Sequence, residues 1–409
     1  MKKKEVLLII PSSQRGGVEE YILKIASAIR QQNDIAHVAL PQTVANTSLV
    51  EDCIKAGIIY HPLAIAEINI PSWAEINQQN TGLLSRLFSL IIPRLKFDLS
   101  QIGHFAKTVI LLLQIKPDVI MITLPWPNLA LGSILGCGFM KIPTLVVFQL
   151  FADVLSLSNT KYRLYQWARG RNQSWLGVSH HTCQLISESF KIPLEEIHCI
   201  QNGATYDNYQ LPANLTELCQ ELRQELGLSE NTKIALTVAR LSDQKGHDYL
   251  IPAIPHLVRE FPQLKFVWVG DGEKRQVLEN LVKEYGVTEQ VLFLGYRSDI
   301  PRLLQASDLF LFPTYYEGQP FAMLEAMSYG LPIITSATSG IPEVIEHQVH
   351  GLLTRTGDSC DLMEAIRWAL NNPEAMNIMA DNAKLRVKDF SEERMVQQTL
   401  NLLENLIST

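Results

Sequence analysis

Short, nearly continuous apolar runs alternate with longer amphipathic runs along most of the chain. Before residue 180 the apolar runs read EVLLII, AHVALP, DVIMITL, TLVVFQL and SWLGVS. Apolar runs without a polar face are typical of parallel strands that helices cover on both sides. The pattern therefore predicts β-α-β units, that is, a doubly wound α/β fold.

The same alternation restarts at residue 233 with KIALTVARL and continues through KFVWVGDG, VLFLGY, DLFLFPT, LPIITS and HGLLT. The intervening residues 204–231 are polar and contain a proline and an exposed helical pattern, so we place a hinge there. We predict a domain over residues 1–204 and a second over residues 205–390. The pattern of residues 391–409 indicates an amphipathic helix that Ser391 opens.

Composition and charge mainly exclude other classes of protein. The chain has 409 residues, which favours two cores over one. Its net charge of −7 is opposite in sign to that of a typical nucleic-acid-binding protein, so we expect no nucleic-acid partner. The six cysteines form no C-x-x-C pair, which argues against a disulfide or zinc framework and for a cytoplasmic protein.

Two segments raise the question of a membrane. Residues 119–140 carry no charge and are long enough to span a bilayer, but Pro125, Pro127 and the glycines favour a buried strand, a turn and a buried helix. Residues 83–113 set Arg86, Arg94 and Lys96 among apolar side chains. This segment is either an amphipathic element on an anionic bilayer or a helix pair packed on the first domain. We expect no transmembrane helix.

Residues 316–345 suggest a helix start that holds a ligand. Pro320 suits the first turn of a helix and Gly330 suits its end. Free N–H groups at such a start attract an anion, whereas Glu317 and Glu325 would accept hydrogen bonds from hydroxyls. The alternative is that both glutamates are structural, one as a charge that favours the helix dipole and the other as a glutamate at the edge of the core. The loop and first turn that would contact the ligand comprise Gly318, Gln319, Phe321, Ala322 and Met323.

A pair of cations follows the first strand of the second domain. Arg240 and Lys245 lie where open α/β sheets bind ligands, and together they suit a diphosphate. A solvated basic loop is the alternative. Combined with the two glutamates, this pair predicts a site for a nucleoside diphosphate sugar. No Asp-x-Asp pair is present, so we expect neither a metal site nor another cofactor.

Glycines mark two further turns. Gly16 and Gly17 follow the first strand, and a helix begins at about Val18, so this turn either approaches the donor closely or is simply a tight turn. The spacing differs from G-x-G-x-x-G and predicts no dinucleotide fingerprint. Gly270, in VGDGEK, is expected in a strand-end turn near the ligand.

These motifs resemble those of a known family. The segments GGVEEY, QNGAT, VARLSDQKGHDYLI, VGDGE, VLFLGY and EGQPFAMLEAMSYGLPIITSATSGIPEVI are similar to glycosyltransferase family 4. Its members are retaining, nucleotide-sugar-dependent enzymes of the GT-B fold, in which two Rossmann-like domains face each other across a cleft. The resemblance is strong from about Ile200 to the C-terminus and weaker in the first domain.

The resemblance implies a role for each matching residue. Arg240 and Lys245 would neutralise the leaving diphosphate, and Glu317 would bind hydroxyls of the transferred sugar beside its anomeric carbon. Glu325 would bind the ribose. Residues 391–409 would cross back onto the first domain. The remaining donor contacts would come from Gly16 and Gly17 of the first domain and from the backbone near Tyr296 at the base.

One departure from the family concerns the first domain. Many members carry a histidine there, at places where this chain has Thr123 or Gln149. Together with Asn202, these residues are the candidates for the acceptor or sugar side of the site.

The predicted function is transfer of a hexose from a UDP- or GDP-sugar, with retention, to a hydroxyl of a glycan or lipid-linked acceptor. Such a reaction belongs to cell-surface polysaccharide or glycolipid synthesis, on the cytoplasmic side and in contact with an anionic membrane if residues 83–113 bind one. The alternatives are a sugar-nucleotide epimerase or a phosphorylase on the same fold, and a non-catalytic protein that binds nucleotide sugars.

Overall fold

The structure is a computed structural model that describes residues 3–12, 16–63, 100–205 and 215–408. The chain forms two compact units. The first unit consists of Met1–Val178, Thr182–Ile200 and Val396–Thr409, and the second of Ser179–His181 and Gln201–Met395.

A parallel sheet of seven described strands forms the centre of the first unit, in the order β3-β2-β1-β4-β5-β6-β7. The order reverses between β1 and β4, since Leu7 pairs with His37 on one side and Ile120 on the other. Such a reversal is the point at which doubly wound sheets bind ligands. The strands are β1 (Glu5–Ile9), β2 (Ile35–Leu40), β3 (Ile59–Pro62), β4 (Val119–Leu124), β5 (Thr144–Phe148), β6 (Gln173–Gly177) and β7 (Ile197–Cys199).

The uncharged segment contributes one helix of a closely packed pair in the first unit. Residues 119–140 form β4, a turn and a helix, as predicted. A Cβ on Gly132 would lie 2.0 Å from the carbonyl oxygen of Gln101, so this glycine lets two helices touch. The described helices are α1 (Gly17–Gln31), α2 (Thr47–Lys55), α3 (residues 100–115), α4 (Leu131–Met140), α5 (Asn159–Arg169) and α6 (His180–Phe190), the last beginning in the second unit.

The second unit contains a parallel sheet of six described strands, in the order β10-β9-β8-β11-β12-β13. Its order reverses between β8 and β11, where Leu236 pairs with Val267 on one side and Phe310 on the other. The strands are β8 (Lys233–Val238), β9 (Leu264–Val269), β10 (Val291–Gly295), β11 (Leu309–Phe312), β12 (Ile333–Ser336) and β13 (Leu352–Thr354).

Apolar clusters cover both faces of this second sheet. Along β9, Phe266 and Trp268 belong to one cluster, while Val267 and Val269 belong to the other. Burial on both faces explains the uninterrupted apolar runs. The covering helices are α7 (Leu215–Glu225), α8 (His247–Leu250), α9 (Ile254–Glu260), α10 (Arg275–Glu284), α11 (Ile300–Ala306), α12 (Phe321–Ser328), α13 (Ser359–Asn371) and α14 (Pro373–Arg386).

The last helix, α15 (Glu392–Ser408), begins where the sequence predicts it. The Arg394 N–H donates to the Ser391 hydroxyl at 3.2 Å, which satisfies one free donor of the helix start. Within the first unit, Thr399 lies 3.3 Å from the Tyr21 hydroxyl and Glu404 lies 3.0 Å from the Lys4 ammonium. The C-terminal part of this helix is thus tied to α1 and to the start of β1.

The prediction of two doubly wound α/β halves is confirmed. The sequence pattern missed β3 and β7, which lie at the two edges of the first sheet. Both strands are short and carry exposed positions, so neither shows an apolar run. Among the helices that the structure describes, none combines the length and hydropathy that a membrane span needs.

Candidate functional site

The candidate residues of the second unit lie in loops that follow its strands. Arg240 and Lys245 come after β8, and the loop that leads to Glu317 comes after β11. Because β8 and β11 are neighbours at the reversal of strand order, these loops meet at the carboxyl edge of the sheet. The site thus forms where the sequence predicts a ligand.

Lys245 and Glu317 form a direct ion pair. Their side chains are 15% and 8% exposed, so the pair is largely shielded from water. The Thr314 hydroxyl donates to the same carboxylate oxygen, Oε1, at 3.0 Å. Glu317 is thus held in one orientation by two donors. The sequence placed both charges at the site but did not indicate that they touch.

Gln244 organises the loop before Glu317. Its carbonyl oxygen accepts from the Tyr315 N–H at 2.8 Å, and it lies 3.0 Å from the Thr314 hydroxyl, whose single proton it shares with Glu317. Its side-chain amide donates to the Tyr316 carbonyl at 2.9 Å. This residue was not predicted as part of the site, although its position next to Lys245 in SDQKG was a signal that could have found it.

Arg240 is exposed and belongs to the same electrostatic neighbourhood. Burial raises the pKa of Tyr316, the charges of Glu317 and Asp243 raise it further, and the Arg240 guanidinium opposes them. Arg240 and Glu317 therefore both lie close enough to the Tyr316 phenol to change its pKa. The two predicted cations and the first predicted glutamate lie in one region.

Helix α12 follows this loop. Pro320 is the residue before its first turn, one position earlier than predicted, and Gly330, two residues after its end, has a φ of 67°. Glu325 is half-buried in the middle of the helix. Of the first-turn residues, Met323 is buried and Phe321 and Ala322 are half-buried, whereas the preceding residues Gly318 and Gln319 are buried.

Glycines bring the neighbouring loops into backbone contact. Gly246 has a φ of 64°, and a Cβ there would lie 1.7 Å from the Pro313 carbonyl oxygen. A Cβ on Gly270, whose φ is 131°, would lie 2.0 Å from the Ala239 carbonyl oxygen. The Gly270 N–H also donates to the Gly295 carbonyl at 2.8 Å, next to the exposed Tyr296. The loops after β8, β9, β10 and β11 thus pack on one another.

Asn202 contacts the same loop. Its side-chain amide donates to the Gln319 carbonyl oxygen at 2.9 Å. Asn202 is 2% exposed, and the structure groups it with the second unit. This contact places it beside residues predicted for the donor, although the sequence suggested the acceptor or sugar side.

In the first unit, the predicted residues Thr123 and Gln149 are buried and neutral, whereas Gly16 is half-buried and Gly17 is exposed. Gly17 is the first residue of α1, one residue earlier than predicted, and Gly16 precedes it with extended backbone. Thr123, near the end of β4, is 0% exposed, and Gln149, directly after β5, is 6% exposed. The Gln149 N–H donates to the Leu124 carbonyl oxygen at 3.1 Å, so Thr123 and Gln149 lie on neighbouring strand ends.

Residues 219–386 match the family model for glycosyl transferases group 1. The matched segment is similar to members of this family. It contains Arg240, Lys245, Glu317 and Glu325, that is, all the charged residues predicted for the donor.

The alignments to curated relatives cover about half of the chain. The chain is 32% identical over 226 residues to the UDP-Gal:alpha-D-GlcNAc-diphosphoundecaprenol alpha-1,3-galactosyltransferase of Escherichia coli, covering 54% of this chain and 57% of that protein. It is 29% identical over 182 residues to an uncharacterized glycosyltransferase of Haemophilus influenzae, covering 44% of this chain and 51% of that protein. The alignments thus span little more than half of each relative.

Solved structures resemble the fold of the whole chain. HepE of Anabaena in complex with UDP-glucose has a TM-score of 0.74 and 24% identity, and the match covers 98% of this chain and 100% of that chain. A glycosyltransferase from Rickettsia africae has a TM-score of 0.75 and 17% identity, with 100% and 99% covered. At these identities the likeness shows the fold, which is GT-B, as predicted.

Proposed function

We propose that the protein is a retaining glycosyltransferase of family 4 that transfers a hexose from a UDP- or GDP-sugar to a hydroxyl of a glycan or lipid-linked acceptor. The observation that carries the proposal is the grouping of Arg240, Lys245 and Glu317 at the carboxyl edge of a sheet, inside the matched domain. Two cations beside a carboxylate suit a ligand that combines phosphates with hydroxyls.

The chemistry follows from the charges that develop during transfer. Departure of the nucleoside diphosphate places negative charge on the leaving oxygen, which Arg240, Lys245 and the start of α12 would stabilise. Preorganised groups of this kind commonly supply the largest catalytic contribution, about 3–4 kcal/mol for one donor. In the proposed complex the phosphates would compete for Lys245 and the sugar hydroxyls for Glu317.

Retention without a covalent intermediate is the proposed stereochemical course. As the resemblance to family 4 implies, Glu317 would accept hydrogen bonds from the sugar hydroxyls and would not attack the anomeric carbon. Attack by the acceptor hydroxyl on the face that the diphosphate leaves would then preserve the anomeric configuration. The anomeric proton coupling of the first-formed product, measured by NMR, tests this course, and an inverted product would contradict it.

The relatives suggest which donor to try first. The name of the Escherichia coli enzyme includes UDP-Gal, and the Anabaena structure holds UDP-glucose. We expect UDP to bind more tightly than GDP or ADP in parallel calorimetric titrations, and to do so without Mg²⁺. Absence of binding by all three, in a folded protein, would remove the proposal. Product analysis with and without an acceptor separates transfer from epimerisation.

Peripheral contact with an anionic membrane is part of this proposal. Helix α3 exposes Ile102, Ile110 and Leu113, which are 65%, 55% and 56% exposed, and Lys107 lies exposed among them. Apolar side chains flanked by a cation suit the surface of an anionic bilayer. Residues 83–99 of the predicted segment lie outside the described residues. Co-sedimentation with phosphatidylglycerol vesicles tests the contact, and absence of binding at low salt would contradict it.

A further inference from the structure

The side chain of Gln319 is buried without an internal hydrogen-bond partner. Gln319 is 3% exposed, and neither the nitrogen nor the oxygen of its amide is bonded to any residue that the structure describes. Burying an amide in this way costs free energy unless a partner arrives. A ligand with matching hydrogen-bonding groups would recover that cost.

The loop around Gln319 is held in place by hydrogen bonds and an ion pair that do not involve its side chain. Tyr316 and Glu317, which precede it, are held by Gln244, Lys245 and Thr314. The carbonyl oxygen of Gln319 itself accepts from the Asn202 amide at 2.9 Å. The backbone of Gln319 is therefore fixed, while its side-chain amide keeps its full hydrogen-bonding capacity.

The chemistry of an amide narrows the class of ligand. Its nitrogen donates and its oxygen accepts. A phosphate only accepts and would leave the amide oxygen unsatisfied, whereas a cation would leave the nitrogen unsatisfied. Sugar hydroxyls both donate and accept, so two neighbouring hydroxyls satisfy both ends of the amide.

We infer that the side-chain amide of Gln319 binds a pair of hydroxyls on the transferred sugar and thereby selects among donor sugars. The inference rests on the proposed function and adds a specificity-determining residue to it. Glu317, two residues earlier, holds the same sugar, while Arg240 and Lys245 hold the diphosphate. The ribose of the nucleotide also carries two neighbouring hydroxyls, so the inference requires that Gln319→Met weaken binding of the sugar nucleotide and not of the bare diphosphate.

The first test needs no donor. Gln319→Met keeps the length of the side chain and removes both polar atoms. Because the amide has no internal partner, the variant is expected to unfold at the same temperature as the wild type or a higher one. Gln276→Met, on the exposed face of α10, is the matched control. A melting temperature several degrees lower for Gln319→Met would show that the amide is paired within the protein, and would overturn the inference.

The second test measures the contribution of the sugar to affinity. Kd values for UDP and GDP are compared with those for UDP-glucose, UDP-galactose and GDP-mannose, in the wild type and in Gln319→Met. Loss of two neutral hydrogen bonds is expected to weaken the preferred sugar nucleotide by about tenfold. Binding of the bare diphosphate is expected to stay within about twofold, because the phosphates do not contact the amide.

The outcomes separate this inference from the proposed function. If the wild type binds no nucleoside diphosphate, the proposed function fails, and the inference fails with it. If the diphosphate binds and the variant keeps the wild-type ratio of the two Kd values, only the inference fails. Donor analogues that lack one sugar hydroxyl complete a double-mutant cycle. The wild type should bind the analogue more weakly than the full donor, whereas Gln319→Met should bind the two with similar affinity.

Discussion

The two units share an architecture but differ in the chemistry at the carboxyl ends of their strands. In the second unit these ends carry Arg240, Lys245 and Glu317, with an ion pair between the last two. In the first unit the corresponding candidates, Thr123 and Gln149, are neutral and buried. The same doubly wound scaffold thus carries charged candidate residues in one unit and neutral, buried candidates in the other.

Glycine positions show the same contrast. In the second unit, Gly246 and Gly270 let loops after neighbouring strands touch backbone to backbone. In the first unit, Gly132 brings two helices together, and a Cβ on Gly177, at the end of β6, would lie 2.7 Å from the sulfur of Cys183 in α6. Close loop packing therefore accompanies the charged edge. Function is carried by loops on a shared scaffold, which agrees with the family match to residues 219–386.

The largest expected effect comes from removing the cation of the ion pair. Lys245→Met should lower turnover about 10²–10³-fold, because one preorganised donor to the developing charge is lost. It should also cost roughly 3 kcal/mol of unfolding free energy, since Glu317 is left buried without its partner. Steady-state kinetics and denaturant unfolding measure the two effects.

Two further variants show whether these effects belong to the pair. Lys265→Met removes a lysine near the opposite end of a strand in the same unit and should leave turnover unchanged. Lys245→Met combined with Glu317→Gln should be less destabilised than the sum of the single variants, because neither charge is then left alone. Additive losses would contradict a coupled pair and would weaken the contrast between the two units.

The sequence indicated the candidate residues and the ends of α12, but it did not indicate which of these residues touch. Pro320 and Gly330 bounded α12 to within two residues, because each has a strong positional preference at helix ends. The Lys245–Glu317 contact joins residues 72 positions apart. No local pattern encodes such a contact, since it depends on β8 and β11 being neighbours in the sheet. Gln244 could have been found from its position beside Lys245, but its contacts with Thr314 and Tyr316 depend on the same strand neighbours.

A smaller effect is expected from a single methyl group at the close contact between loops. Gly246→Ala places a Cβ 1.7 Å from the Pro313 carbonyl oxygen and also requires a φ of 64°. Gly227 has a φ of 67° with nothing within 4 Å, so Gly227→Ala isolates the cost of the backbone conformation. We expect losses of about 3 kcal/mol and about 1 kcal/mol respectively, measured by denaturant unfolding. Equal losses would mean that the loops do not depend on close packing.

The smallest effect within one pH unit concerns a buried histidine beneath the charged edge. His247 is 1% exposed, and its ring lies 4.7 Å from that of Trp268. Burial, aided by the charge of Lys245, lowers its pKa to about 3, against 6.5 in the unfolded chain. Between these values the unfolded state binds the proton and the folded state does not. Stability should therefore fall as the pH drops from 6.5 towards 3, by up to about 1.4 kcal/mol per pH unit.

His247→Phe keeps an aromatic ring in this place and removes the titration. The pH dependence of unfolding should therefore decrease by up to one proton between pH 6.5 and 4. The first unit offers a matched control, because burial and the charge of Lys107 lower the pKa of His104 to about 4. If the two units unfold in separate transitions, His247→Phe should change only the second unit's transition and His104→Phe only the first unit's. An unchanged slope in His247→Phe would mean that the imidazole is protonated in the folded protein, which would place a second cation beside Lys245.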